Sequence, residues 1–257
     1  MIKAVFFDID GTLVSFQTHQ VPQDTRDALH ELHQNGIRIF VSTGRGRDEL
    51  LEVEGIPFDG YITLNGQYCC TQDTLVYENT LDRRDLENLW RLQKDHPFPC
   101  GFTTDHGKFY NFRDAQVDEI NELTHNEGHP VGDCSHITQE KVYQIIAFVN
   151  ETEEKELLAQ LPNSISARWH PYFVDICPRG GTKQLGMEKF LEYYGIDRSE
   201  TMSFGDGGND LPMIRYAQVG VAMGNAVDIV KQRADHVTGI PEEHGIADAL
   251  RYFRLID

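Results

Sequence analysis

The feature that most constrains this chain is an apolar run that stops at acids. Ala4-Val5-Phe6-Phe7 leads directly into Asp8-Ile9-Asp10-Gly11-Thr12. A short, uninterrupted apolar run bounded by turn formers is the pattern of a strand buried on both faces, as in a parallel sheet. The rhythm then continues. Pro22 opens a helical stretch with Ala28, Leu29 and Leu32 as its apolar stripe, and Asn35-Gly36 closes it. Residues 37–41 read as a second strand, followed by a Gly/Arg-rich turn and a short helix around Asp48-Glu49-Leu50-Leu51. Residues 61–64 read as a third strand. This β-α-β-α-β order predicts a parallel sheet with right-handed crossovers. Residues 68–77 read as a small hairpin.

The pattern changes near Leu81. A helix is expected over 82–93, strand pieces at 100–103 and 108–111 around the turn Asp105-His106-Gly107, and a polar helix over 115–125. A strong strand follows at 142–149, a helix over 151–161, and a hairpin from 165–169 and 173–177. Helices mixed with hairpins predict an α+β unit rather than more parallel sheet. At Thr182 the α/β rhythm returns, with a helix to Tyr194, a strand at 201–204 and a helix after Asp210. Short strands at 219–222 and 236–238 flank a helix near 227–233, and the last helix covers 246–253. The chain therefore reads as a three-layer, Rossmann-like α/β core (1–81 and 183–257) interrupted by an inserted α+β domain (82–182).

Composition narrows the function. A chain of 257 residues with 23 basic and 41 acidic residues carries a net charge of −18. That balance argues against nucleic acid, whose phosphates are held by Lys and Arg surfaces, and against anionic membranes. The five cysteines are odd in number and form no C-x-x-C, so free thiols in a reducing compartment are expected. The run before Asp8 is too short for a signal peptide and no stretch approaches ~18 apolar residues, so the expected location is the cytoplasm. None of the eleven histidines, His125 among them, stands at metal-ligand spacing. Trp90 and Trp169 are expected in the small core of the insertion.

The chemistry-bearing residues fall at strand ends, where open α/β sheets place their ligands. Asp8 and Asp10, two apart in an extended segment, point to the same side. One carboxylate can be a nucleophile and the other can move the leaving group's proton. Ser42-Thr43-Gly44-Arg45 offers a hydroxyl, backbone amides and a cation to a phosphate or to a catalytic carboxylate. Lys183 opens a helix after Gly180-Gly181 and can neutralise a carboxylate and an incoming phosphate. Gly205-Asp206-Gly207-Gly208-Asn209-Asp210 puts two acids and an amide on a glycine-rich turn, which suits a hard cation such as Mg²⁺. Each motif alone is also what a turn or helix cap carries; their succession along one sheet is what points to a site.

On these residues, with Leu64-Asn65-Gly66 and Val221-Ala222-Met223-Gly224-Asn225-Ala226, the chain resembles the haloacid dehalogenase superfamily and its Cof-like phosphatases. The resemblance covers the α/β core and is weaker in the insertion, which sits where that group carries its mobile cap. It implies Asp8 as nucleophile, Asp10 as general acid/base and Lys183 as the cation steadying both Asp8 and phosphate. It implies that Thr43, Gly44, Arg45, Asn65 and Asn209 line the phosphate pocket. Mg²⁺ would be held by Asp8, the backbone carbonyl of Asp10 and Asp206, with Asp210 behind them. Four acids against Lys183 and Arg45 leave a deficit of two charges, which one dication cancels, so a strict metal requirement is expected. The implied substrate is a small phosphorylated metabolite and the implied assembly a monomer or homodimer. A phosphomutase or phosphotransferase using the same site is the alternative. Gln218 and His244 depart from the family pattern.

Overall fold

The computed structural model describes residues 1–123 and 128–257. The chain divides into two compact units, residues 1–78 with 181–257, and residues 79–180. The first unit begins with β1 (Ala4–Phe7), α1 (Gln23–Gln34), β2 (Arg38–Ser42), β3 (Gly60–Thr63), β4 (Tyr68–Cys70) and β5 (Leu75–Glu78). The second holds α2 (Arg83–Asp95), β6 (Cys100–Thr104), β7 (Gly107–Tyr110), α3 (Ala115–Leu123), β8 (Val142–Ala147), α4 (Glu151–Gln160), β9 (Ser164–His170) and β10 (Phe173–Pro178). The first unit then resumes with α5 (Lys183–Tyr194), β11 (Thr201–Gly205), α6 (Leu211–Tyr216), β12 (Val219–Ala222), α7 (Asp228–Lys231), β13 (His236–Val237) and α8 (Gly245–Tyr252).

The first unit is built on a sheet of order β13-β12-β11-β1-β2-β3-β4-β5. Its first six strands run parallel; β4 and β5 are the expected hairpin, added antiparallel at the edge. Alternate residues of each central strand serve different cores. Val5, Phe7, Ile39 and Val41 pack with Ala28, Leu29, Leu32 and Leu250 of α1 and α8. Ala4, Phe6 and Phe40 pack with Met187, Phe190 and Met213 of α5 and α6. The apolar runs are continuous because both faces are covered, which gives three layers. Phe7 and Phe204 stack at 4.9 Å between centroids, and such pairs add about 0.5–1.5 kcal/mol beyond burial. They lock together the strands that lead to Asp8 and Asp206.

The second unit carries a separate antiparallel sheet of order β7-β6-β8-β10-β9. Leu86, Leu89 and Leu157 of α2 and α4 cover Val142, Ile145, Val174 and Ile176. Asp85 is buried and accepts from Asn163 N–H (3.0 Å), Asn163 Nδ2 (3.2 Å) and Ser164 Oγ (2.7 Å), which ties α2 to β9. The unit's two ends meet where Asn79 Nδ2 donates to the Arg179 carbonyl at 3.1 Å.

Two details differ from the sequence reading. The helix expected near residue 48 is two 3₁₀ turns, Arg47–Glu49 and Leu51–Val53. Arg45 takes the Glu49 carbonyl at 3.1 Å, and Val53 N–H turns instead to Leu50 O at 3.4 Å. Trp90 is half-buried with the Lys94 ammonium 4.9 Å above its ring, while the core beneath is mainly aliphatic. The side chain of Trp169, like His125 and the expected end of α3, lies outside the described residues. The cysteines are all free, three of them buried. Among the described residues no helix is long and apolar enough to cross a membrane.

Candidate active site

The C-terminal ends of β1, β2, β3 and β11 face one edge of the sheet, and the motif residues start there. Asp8 N–H continues the ladder to Phe204 O at 3.0 Å, which sets Asp8 beside the end of β11. The chain then doubles back through Gly11, whose φ of +80° is left-handed. A methyl group at Gly11 would strike the Phe16 ring, the Asp206 carboxylate and the Asn225 amide.

Lys183, at the first turn of α5, is 1% exposed. Its ammonium donates to Asp8 Oδ1 and, at 2.5 Å, to Asp210 Oδ1. The second oxygen of Asp210 accepts from the backbone N–H of Asp206 (2.9 Å) and Gly207 (2.8 Å), which shapes the glycine turn. Asp206 accepts from Thr12 Oγ1 at 3.1 Å and from Asn225 Nδ2 at 3.2 Å. Carboxylate oxygens of Asp8, Asp206 and Asp210 all lie within 4.8 Å of one another. That is a hard, all-oxygen donor set of the kind Mg²⁺ takes.

The phosphate-pocket candidates assemble on the other side. Thr43 is buried, and its Oγ1 accepts from Arg45 N–H at 3.1 Å. Leu64, Asn65 and Gly66 have φ of +51°, +54° and +90°, three successive left-handed residues. Such strain, roughly 1–2 kcal/mol for an L-residue, persists where surroundings enforce it. Here Leu64 N–H bonds Arg45 O (3.0 Å) and Asn65 N–H bonds Thr43 O (2.9 Å). The Asn65 side chain therefore reaches over Gly44 and accepts from Asn209 Nδ2 at 3.0 Å. A methyl group at Gly66 would overlap the Thr182 carbonyl, and Thr182 caps the helix that presents Lys183. Gly66→Ala is therefore expected to destabilise the protein by roughly 2–4 kcal/mol. Urea denaturation measures this; an unchanged midpoint would contradict it.

Arg45 sits elsewhere in the cluster. Its Nε and Nη2 donate to the two oxygens of Asp10 at 2.9 and 2.5 Å, and its Nη1 donates to Glu52 at 3.0 and 3.1 Å. Its donors point at carboxylates, so in this arrangement it braces Asp10.

Residues 5–250 match the family model described as haloacid dehalogenase-like hydrolase. The chain belongs to the haloacid dehalogenase-like hydrolases. Over 259 aligned residues it is 33% identical to YkrA of Bacillus subtilis (strain 168), to which phosphatase activity is ascribed by name, covering 99% of this chain and 98% of that one. Among solved structures it is similar to BT1666 of Bacteroides thetaiotaomicron, a phosphatase of the superfamily (35% identity, TM-score 0.90, 100% and 96% covered). It is also similar to the subclass IIB sugar phosphatase BT4131 (37% identity, TM-score 0.84, 99% and 100% covered). The protein is a phosphatase of this superfamily, with the α/β core and separate antiparallel unit of the Cof-like group.

The electrostatics of this haloacid dehalogenase-like hydrolase are those of a site short of positive charge. Burial, seconded by the charge of Asp210, holds the Asp8 carboxyl well above its ordinary range, against the pull of Lys183. Burial and Asp210 push Asp206 up to about 6, against the Thr12 hydrogen bond and Lys183. Burial alone would lower Lys183, but the Asp8 and Asp210 charges outweigh it and keep the ammonium above its usual value. Lys183→Met leaves two buried carboxylates without their cation and is expected to destabilise the metal-free protein at neutral pH by about 3–5 kcal/mol. A loss under 1 kcal/mol by denaturant titration would contradict that figure.

Three residues of the cluster had no role in the sequence reading. Thr12 and Asn225 were visible as parts of motifs, and their function in orienting Asp206 is a matter of contact. Glu52 had no sequence signal; it lies seven residues after Arg45 on a surface turn. It adds a fifth carboxylate against two cations.

Proposed function

We propose that this phosphatase hydrolyses small phosphorylated metabolites through a covalent phosphate on Asp8. The observation that carries the reading is the buried Lys183 ammonium bridging Asp8 and Asp210 beside Asp206. A carboxylate so placed, at a strand end and steadied by a fixed cation, is a nucleophile by design of its surroundings. In the first step an Asp8 oxygen forms a bond to phosphorus as the leaving-group oxygen departs. Asp10, oriented by Arg45, gives that oxygen its proton. In the second step Asp10 takes a proton from water as the water attacks phosphorus, and inorganic phosphate and the Asp8 carboxylate are released. Thr43, Gly44, Asn65 and Asn209 hold the transferring phosphoryl group by hydroxyl and amide contacts.

Asp8, Asp206 and the Asp10 carbonyl would hold one Mg²⁺, with Asp210 behind them. When bound it supplies Lewis-acid polarisation of a phosphoryl oxygen and cancels carboxylate charge. Residues 79–180 contain none of these groups, and the reading makes them the cap that chooses the leaving group. Sugar phosphates head the candidate substrates, since BT4131 is named a sugar phosphatase.

The test is a phosphate-release screen over phosphometabolites with Mg²⁺ present, followed by product analysis. Release to water, with no label returned to the sugar, is expected. Return of labelled phosphate to substrate would make the protein a mutase, and no turnover of any compound would refute the reading.

A further inference from the structure

We propose that Glu52 is a positioning residue for catalysis: through Arg45 it fixes the carboxylate that protonates the leaving group. The inference rests on the reading of Asp10 as the general acid.

The Arg45 guanidinium is gripped from two sides. Its Nε–Nη2 edge faces Asp10, and its remaining nitrogen, Nη1, donates to both Glu52 oxygens (3.0 and 3.1 Å) and to Glu49 O (3.1 Å). A guanidinium held along one edge by a single carboxylate still rocks about that pair. A second, opposed carboxylate removes the freedom and fixes the plane in which Asp10 is held. Glu52 is itself anchored. Arg26 of α1 donates to the Glu52 carbonyl and, at 2.9 Å, to the Glu54 carbonyl, so the turn bearing Glu52 is stapled to a helix of the same unit. The chain of contacts therefore runs from a rigid helix through Glu52 and Arg45 to Asp10. The Glu52 side chain is 31% exposed and that of Arg45 25%. An ion pair so exposed contributes little to folding, so a role confined to stability predicts nearly unchanged kinetics.

The proposal makes a prediction that depends on the leaving group. An alkoxide needs a proton as it departs; p-nitrophenolate does not. The ratio kcat/KM reports events up to that departure. Glu52→Ala is expected to lower kcat/KM for an alkyl phosphate such as glycerol phosphate by roughly tenfold or more. The same variant should stay within about twofold of the parent on p-nitrophenyl phosphate, and inhibition by inorganic phosphate should likewise change little, because neither requires the proton. Asp10→Asn, measured alongside, should show the same selectivity with a larger loss. Glu52→Gln, read in the same way, serves should the alanine variant fold poorly. Equal losses on both substrates, or no loss on either, with Asp10→Asn still selective, would overturn the role of Glu52 alone. Equal losses in Asp10→Asn itself would overturn the reading of Asp10 on which it rests.

Discussion

On the proposed mechanism Asp8→Asn is expected to reduce phosphate release by at least about 10⁴-fold, since losing a nucleophile that acts with its partners as a unit forfeits most of the catalysis. The amide keeps the shape of the side chain, so the loss is chemical. The fold gives an internal control. Asp8 is buried, with its carboxyl held well above the ordinary range by burial and by Asp210. A carboxyl whose folded value is raised favours folding most when protonated, and that contribution is lost as pH rises through the folded value. The charged form of Asp8 is therefore the costly one in the metal-free protein, and neutral Asn removes that cost while Lys183 keeps Asp210. The variant should melt at or above the parent's temperature without metal while being inactive. Residual activity within a hundredfold of the parent, or a collapse in stability, would contradict this.

The second large effect is expected on removal of the proposed metal. Chelation should abolish turnover, and Mg²⁺ should restore it. Binding a dication at a hundredfold its dissociation constant stabilises by about 2.7 kcal/mol, or roughly 5–10 °C in Tm for a chain of this size. The pH dependence follows from Asp206, held at about 6 in the metal-free protein by burial and by Asp210. Below that value protons compete with the metal for the carboxylate, and the apparent affinity falls by up to about tenfold per pH unit. The Tm rise on adding Mg²⁺ should therefore be larger at pH 7.5 than at pH 5. A rise as large at pH 5, or full activity after exhaustive chelation, would count against the assigned ligands.

Much of the core was legible in the chain because its strands are short apolar runs with both faces buried. Ala4 to Phe7 reads directly as β1, and the residues after each run mark where the sheet places its chemistry. The packing of Asp8, Lys183, Asp206 and Asp210 follows from that topology, since parallel strands end on one edge. What the sequence hid is what depends on close approach. The three left-handed residues from Leu64 to Gly66 are dictated by the backbone of Thr43 and Arg45, residues distant in sequence. Glu52 was invisible because a glutamate on a surface turn has no pattern until Arg45 is seen between it and Asp10. The segment near residue 48 forms 3₁₀ turns and not one helix because the Arg45 side chain takes a carbonyl that the helix would need. Trp90 stands outside the core because mainly aliphatic residues, with Phe102, already fill the space beneath α2.

The most direct measurement is chemical trapping of the proposed covalent phosphate. The enzyme is quenched during turnover and treated with borohydride, which reduces an acyl phosphate to an alcohol, and its peptides are read by mass spectrometry. Reduction confined to residue 8, present only with substrate and metal, is the expected result. Rapid turnover with residue 8 unmodified, or reduction at a different carboxylate, would contradict the account.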